Sequence, residues 1–122
     1  MSETNQVDKI MAYLDRLTEA TKLGQISWSE ANPTTMVWEN KDKGGRLVLQ
    51  KLLNRLEIGD SGVQRVEGQY VLQGFDLDGK MQLVLKEKPD TSVNIKLKTL
   101  FEIATSMLFQ KSIDFLGSIV PE

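Results

Sequence analysis

Gln69-Tyr70-Val71-Leu72-Gln73-Gly74-Phe75-Asp76-Leu77-Asp78-Gly79-Lys80-Met81-Gln82-Leu83-Val84-Leu85-Lys86-Glu87-Lys88 is the stretch whose reading decides the fold. Two arms of β-type composition, residues 69–75 and 80–88, flank Asp76-Leu77-Asp78-Gly79. In the second arm Met81, Leu83 and Leu85 share a face, with Gln82, Val84 and Lys86 opposite, which is the period-two pattern of a half-buried strand. Asp78-Gly79 supplies two residues that tolerate positive φ, as a tight β-turn demands. The segment therefore predicts an antiparallel hairpin.

Downstream, Pro89-Asp90-Thr91-Ser92 ends the sheet and caps a helix. Val93, Leu97, Leu100, Phe101, Ala104 and Leu108 keep helical spacing behind it. This helix is expected to run to about Lys111, with residues 113–120 as its continuation or as a docked tail. Upstream lie two further short β segments. Gln25-Ile26-Ser27-Trp28-Ser29 alternates polar and apolar, Ala31-Asn32-Pro33 interrupts it, and residues 35–40 resume through Val37 and Trp38. Lys41-Asp42-Lys43-Gly44-Gly45 has the composition of a solvated hairpin loop. Residues 46–58 read two ways. Leu49, Leu52, Leu53 and Leu56 form a helical set, whereas Leu47 and Leu49 alternate as in a strand. A strand at the start, fed by the Gly-Gly turn and followed by a bulge or irregular stretch, is favoured.

The chain opens with a helix. Val7, Ile10, Met11, Leu14, Leu17 and Thr21 form one stripe, Thr4 or Asn5 is placed to cap it, and Gly24 stands where a left-handed residue stops a helix. The expected fold is α+β: a single domain, residues 1–122, with an antiparallel meander of about four to five strands and both helices packed on one face.

Composition bounds the chemistry. The chain has 122 residues, 15 basic and 17 acidic, with neither His nor Cys. That excludes Cys or His nucleophiles, thiolate or imidazole zinc sites, iron–sulfur ligation and Ser-His-Asp triads. The acidic balance argues against a nucleic-acid partner, which calls for a basic excess. Residues 1–40 carry three bases and six acids, residues 41–65 six and three, and residues 66–122 six and eight, so no like-charged tail stands out. Uncharged stretches are short, which argues against a membrane span, and the polar start Met1-Ser2-Glu3-Thr4-Asn5-Gln6 is unlike a secretory signal. A chain without cysteine fits a reducing compartment, so the expected setting is cytoplasmic.

Asp76-Leu77-Asp78-Gly79 behind an apolar arm looks like the nucleophile motif of haloacid-dehalogenase-type phosphatases. In that chemistry the first Asp attacks phosphorus, the second handles protons, and magnesium is required. Only 43 residues follow Gly79, too few for the remaining strands and crossovers, and Lys80-Met81-Gln82-Leu83 reads as a returning arm. A metal-dependent phosphatase-like site at Asp76 and Asp78 is therefore the remote alternative. Taken as a calcium loop, the same stretch puts Lys80 at the fifth position and the glycine at the fourth, which fails. Lys43-Gly44-Gly45-Arg46 lacks the spacing of a phosphate-cradling loop. No catalytic residue and no cofactor is expected.

Trp28 and Trp38, each near an acidic neighbour, are read first as core residues packed against the opening helix and second as interface hot spots. Phe109 fits the main stripe of the last helix least well and is the leading candidate for a dimer or tail contact.

Two stretches carry a resemblance. The first is Leu14-x-x-Leu17-x-Glu19-Ala20-Thr21-x-x-Gly24-x-Ile26-x-Trp28. The second is Asp78-Gly79-Lys80 followed by Leu97-x-x-Leu100-Phe101-Glu102-x-Ala104. Together they cover about a third of the chain and consist of stripe, cap and turn signals. The pattern resembles small uncharacterised bacterial and phage-associated α+β proteins, and it implies a fold with no assigned activity. The expected function is a non-catalytic protein-binding or regulatory module in the bacterial cytoplasm, with a protein partner or itself as partner. The alternative is a small-ligand carrier with a pocket between sheet and helices, lined by Trp28, Trp38 and Phe101.

Overall fold

The computed structural model describes residues 3–121, with side chains from Gln6 onward. Its elements are α1 (Glu3–Lys22), β1 (Ser29–Asn32), β2 (Thr35–Asn40), β3 (Gly45–Lys51), β4 (Arg55–Gly59), β5 (Gly62–Val66), β6 (Tyr70–Asp76), β7 (Met81–Lys86) and α2 (Ser92–Ile119). The architecture is α+β. A five-stranded antiparallel sheet in the order β1-β2-β3-β6-β7 is joined by a separate two-stranded hairpin, β4-β5. The meander is thus interrupted once, between β3 and β6.

Strand register explains which face is apolar. Met36 pairs with Leu49, Leu49 with Leu72, and Leu72 with Leu85. The neighbouring row runs Trp38, Leu47, Gly74 and Leu83. Side chains alternate across a strand, so both rows project to one side, and both helices lie there. Leu14 of α1 and Val93, Leu97, Leu100, Phe101 and Ala104 of α2 complete the core with Met36, Leu49, Tyr70 and Leu72. The other face, with Val37, Val48, Phe75 and Val84, faces away from the helices.

The helix ends follow from local chemistry. Gly24 adopts φ +76°, and the N–H groups of Gly24 and Gln25 donate to the carbonyls of Thr21 and Ala20 at 3.1 and 2.9 Å, closing α1. Thr91 caps α2, accepting the Asn94 N–H on its hydroxyl at 3.3 Å. α1 already begins at Glu3, so Thr4 and Asn5, expected to cap it, lie inside its first turn, and their side chains are outside the described ones. α1 and α2 run in the same direction, with Asp15 beside Lys96 and Ser27 beside Lys111.

Some expectations are met and others corrected. The strand expected at residues 25–29 begins only at Ser29, because Trp28 turns inward to the helices. Ala31 and Asn32 belong to β1, and the break falls at Pro33-Thr34, where Asn32 Oδ1 accepts the Thr34 N–H at 3.0 Å. Residues 46–58 open as the favoured strand, within β3, and their helical reading is not realised. Leu47 and Leu49 are drawn to the helix-facing side of β3, and the chain then leaves the sheet to form β4. The β4-β5 hairpin is unforeseen in the sequence. Residues 113–119 continue α2, which is helical to Ile119.

Candidate functional site

The tryptophans are the simplest to place. Trp28 is 3 % exposed, and its indole N–H donates to Thr21 Oγ1 at 3.0 Å; that hydroxyl donates to the Leu17 carbonyl at 2.8 Å. Trp38 is half-buried against it, with ring centroids 6.4 Å apart and planes tilted by 52°. The pair seals the core beside α1, and Trp28 presents no surface to a partner.

The aspartate loop is a turn in its own right. Gly79 N–H donates to the Asp76 carbonyl at 3.0 Å and Asp76 N–H to the Lys80 carbonyl at 2.9 Å. Gly79 has φ +79°, whereas Asp78 stays at negative φ, so the loop is a three-residue connection and not the doubly left-handed turn its sequence allows. Asp76 Oδ1 accepts the N–H groups of Asp78 and Lys80, each at 2.9 Å, and Oδ2 accepts the Gln82 amide at 2.9 Å. The Lys80 N–H, then the Gln82 amide and the Asp78 N–H, hold this carboxyl below its ordinary pKa. Both Asp76 oxygens thus serve the hairpin, Oδ1 with two bonds and Oδ2 with one. Among the described residues no group of three or more acidic side chains is gathered as a metal site would need.

Phe109 lies elsewhere. It is 67 % exposed on α2, and every described residue beyond it is exposed as well. Phe109, Ile113, Leu116 and Val120 fall at i, i+4, i+7 and i+11, one stripe of a helix. Phe115 and Ile119 prolong the stripe that carries Phe101 and Leu108 in the core. The helix therefore leaves the body near Lys111, whose ammonium donates to Ser27 Oγ at 2.8 Å, and carries apolar side chains on into solvent.

A groove of about 460 Å³ opens between α1 and the β6-β7 side of the sheet. Ile10, Leu14 and Leu17 form one wall; Leu72, Leu83 and Leu85 form the other. Ala20 and Ile26 lie at the end next to the point where α2 leaves the body. Arg16 and Tyr13 stand at its margin, the guanidinium 5.4 Å from the ring centroid. The sequence places a pocket by Trp28, Trp38 and Phe101, but those residues pack against their neighbours, Phe101 on Tyr70 at 5.5 Å. The stripe on α1 is legible in the sequence. The stand-off between helix and strand that leaves Leu83 and Leu85 only half-covered is not.

A third apolar surface is the β4-β5 hairpin, with Leu56, Ile58 and Val63 exposed. Arg55 ties it to the body through Gln69, whose amide donates to the Glu87 carbonyl at 2.8 Å. No helix of the described residues is long and apolar enough to cross a membrane. Compared with known proteins, the chain matches no family model, no curated protein and no solved structure.

Proposed function

We propose that this chain is a non-catalytic protein-binding module that works through the far end of α2 and associates with itself. One observation carries the reading: Phe109, Ile113, Phe115, Leu116, Ile119 and Val120 are all exposed on a helix whose other half is built into the core. A run of this size is unusual on a monomer and marks interaction surfaces. The rigid half of α2 pre-organises the free half, so little ordering entropy opposes binding. A cytoplasmic setting accompanies the reading, supported by a chain without cysteine. Sedimentation velocity across a concentration series tests it. Self-association that Phe109→Glu and Leu116→Glu abolish, with the circular dichroism spectrum unchanged, supports it; a strict monomer at high concentration removes self-association.

The groove favours a second reading, a carrier of small apolar ligands, since its walls are Leu and Ile and Arg16 stands where an acid group would sit. Saturable uptake of a fluorescent long-chain fatty acid, weakened by Leu83→Gln, is the expected result. No binding by the folded protein ends that reading.

A further inference from the structure

Two apolar features of this chain are each left without a partner: the groove beside α1 and the free end of α2. From their match we infer that the groove of one copy is filled by the α2 end of a second copy, the two copies exchanging ends in a closed pair. The inference rests on the proposed self-association and specifies its geometry. The dimensions agree. Groove-lining residues of α1 run from Ile10 to Ala20, and the free end runs from Phe109 to Ile119, each about 15 Å of helix at ~1.5 Å per residue. A groove of about 460 Å³ has room for one row of apolar side chains, and Phe109, Ile113 and Leu116 form such a row.

Placement agrees as well. α2 leaves the body beside Ser27, and Ile26 and Ala20 line the adjacent end of the groove. A two-fold axis near this point carries each α2 end along the partner copy's α1 in the opposite direction, with Phe109 nearest Ala20 and Leu116 nearest Tyr13. Area decides between one-sided and reciprocal docking. Both apolar rows of the α2 end together expose about 600 Å², of which the row seated in the groove is roughly half, and a stable interface buries about 800 Å² on each partner. Only exchange, in which every copy gives both its helix end and its groove, approaches that range. Exchange also closes the assembly, so no free end is left to propagate it. Charge raises no obstacle. Lys111 and Asp114 both sit on the side of α2 away from the Phe109 row, and Arg16, the one charge of the groove lining, stands at its margin over the Tyr13 ring, where its guanidinium keeps access to water. A lipid surface is the weaker occupant, because the helix end carries one lysine where interfacial helices carry a basic face.

The absence of cysteine makes the test clean. Tyr13→Cys and Ala20→Cys mark two points along the α1 side of the groove, and Phe109→Cys and Leu116→Cys mark the helix. Their spacings match, seven residues in each case by sequence number. Chains bearing single cysteines are mixed in pairs, oxidised and read by non-reducing electrophoresis, with sedimentation and circular dichroism on each variant. The expected result is a dimer in which Ala20→Cys links to Phe109→Cys and Tyr13→Cys links to Leu116→Cys, while the crossed pairs do not. Leu116→Glu without any cysteine should weaken the dimer about tenfold or more. A dimer without the matched links overturns the groove as the docking site and leaves self-association standing. A monomer overturns both. A monomer whose groove takes up a fluorescent long-chain fatty acid, or one that co-sediments with anionic vesicles, overturns the inference and names the other occupant.

Discussion

The Asn94 carboxamide on α2 accepts the Tyr70 N–H of β6 at 2.8 Å, deep in the interior, where Asn94 is 1 % exposed. Its amide donates to the Gly68 carbonyl at 2.8 Å and the Pro89 carbonyl at 3.0 Å. One side chain thus satisfies the backbone where the chain enters β6 and where it leaves β7 for α2. Asn94→Ala leaves the buried Tyr70 N–H and two part-buried carbonyls, of Gly68 and Pro89, without this partner and should cost about 2–3 kcal/mol. Asn94→Asp presents a carboxylate to two carbonyl oxygens and should also be strongly destabilising. Urea unfolding followed by circular dichroism measures both; a loss below about 1 kcal/mol for Asn94→Ala refutes the assignment.

Thr21 supports Trp28 in a similar way from α1. Thr21→Val keeps the shape but orphans the indole N–H, for an expected loss of about 1–3 kcal/mol. Thr21→Ser keeps the hydroxyl and should retain most of the stability. Tryptophan fluorescence during urea unfolding separates the two variants.

Gly44, at φ +70°, lies against Leu77 of the neighbouring loop; a Cβ there would stand 2.7 Å from Leu77 Cδ1. Gly44→Ala should cost about 1–2 kcal/mol for its left-handed backbone alone. Leu77 is exposed and able to swing aside, so Leu77→Ala should return only the part due to contact. A double-mutant cycle of thermal stabilities gives that coupling, expected at about 0.5 kcal/mol or more.

The depressed Asp76 pKa fixes the sign of a pH effect. A carboxyl whose folded pKa lies below its unfolded value stabilises the protein above the unfolded pKa, near 3.9, and that contribution is lost as pH falls through the folded pKa. Asp76→Asn keeps the Oδ1 acceptor for the loop N–H groups but does not titrate. The thermal midpoint of the variant, followed from pH 6 to pH 2, should fall less steeply than that of the native chain; parallel curves would dispose of the assignment.

Residues 112–121 contribute little to the body, since all of them are exposed. A chain ending at Lys111 should lose less than about 1 kcal/mol by urea unfolding and yet sediment as a monomer.

Much of this fold is written in local patterns. The α1 stripe, the Gly24 stop, the Thr91 cap and the arms around Asp76 each depend on neighbours within a turn or two, so residue order alone reveals them. Features set by long-range packing were harder to read. Leu52, Leu53 and Leu56 mimic a helix because they straddle the exit from β3 and the start of β4. Residues 25–28 alternate like a strand, but Trp28 is claimed by Thr21 and not by a partner strand. Asn94 had a readable signal: it sits three residues before Leu97 and seven before Phe101, on the apolar stripe, where a polar residue implies buried hydrogen bonds. Phe109 stood out by its angle on the helix. The groove did not, because a gap is made by the elements that flank it and no residue encodes it alone.

Lys51 and Tyr70 face each other across β3 and β6, although the whole β4-β5 hairpin lies between them in the chain. The excursion departs and returns at adjacent doors, so its outer part, beyond the anchoring residues Leu52, Arg55, Gly68 and Gln69, can vary without disturbing the strand ladder. Evolution or an engineer is free to shorten it, lengthen it or trade it for another peptide, which makes this the natural graft point of the scaffold.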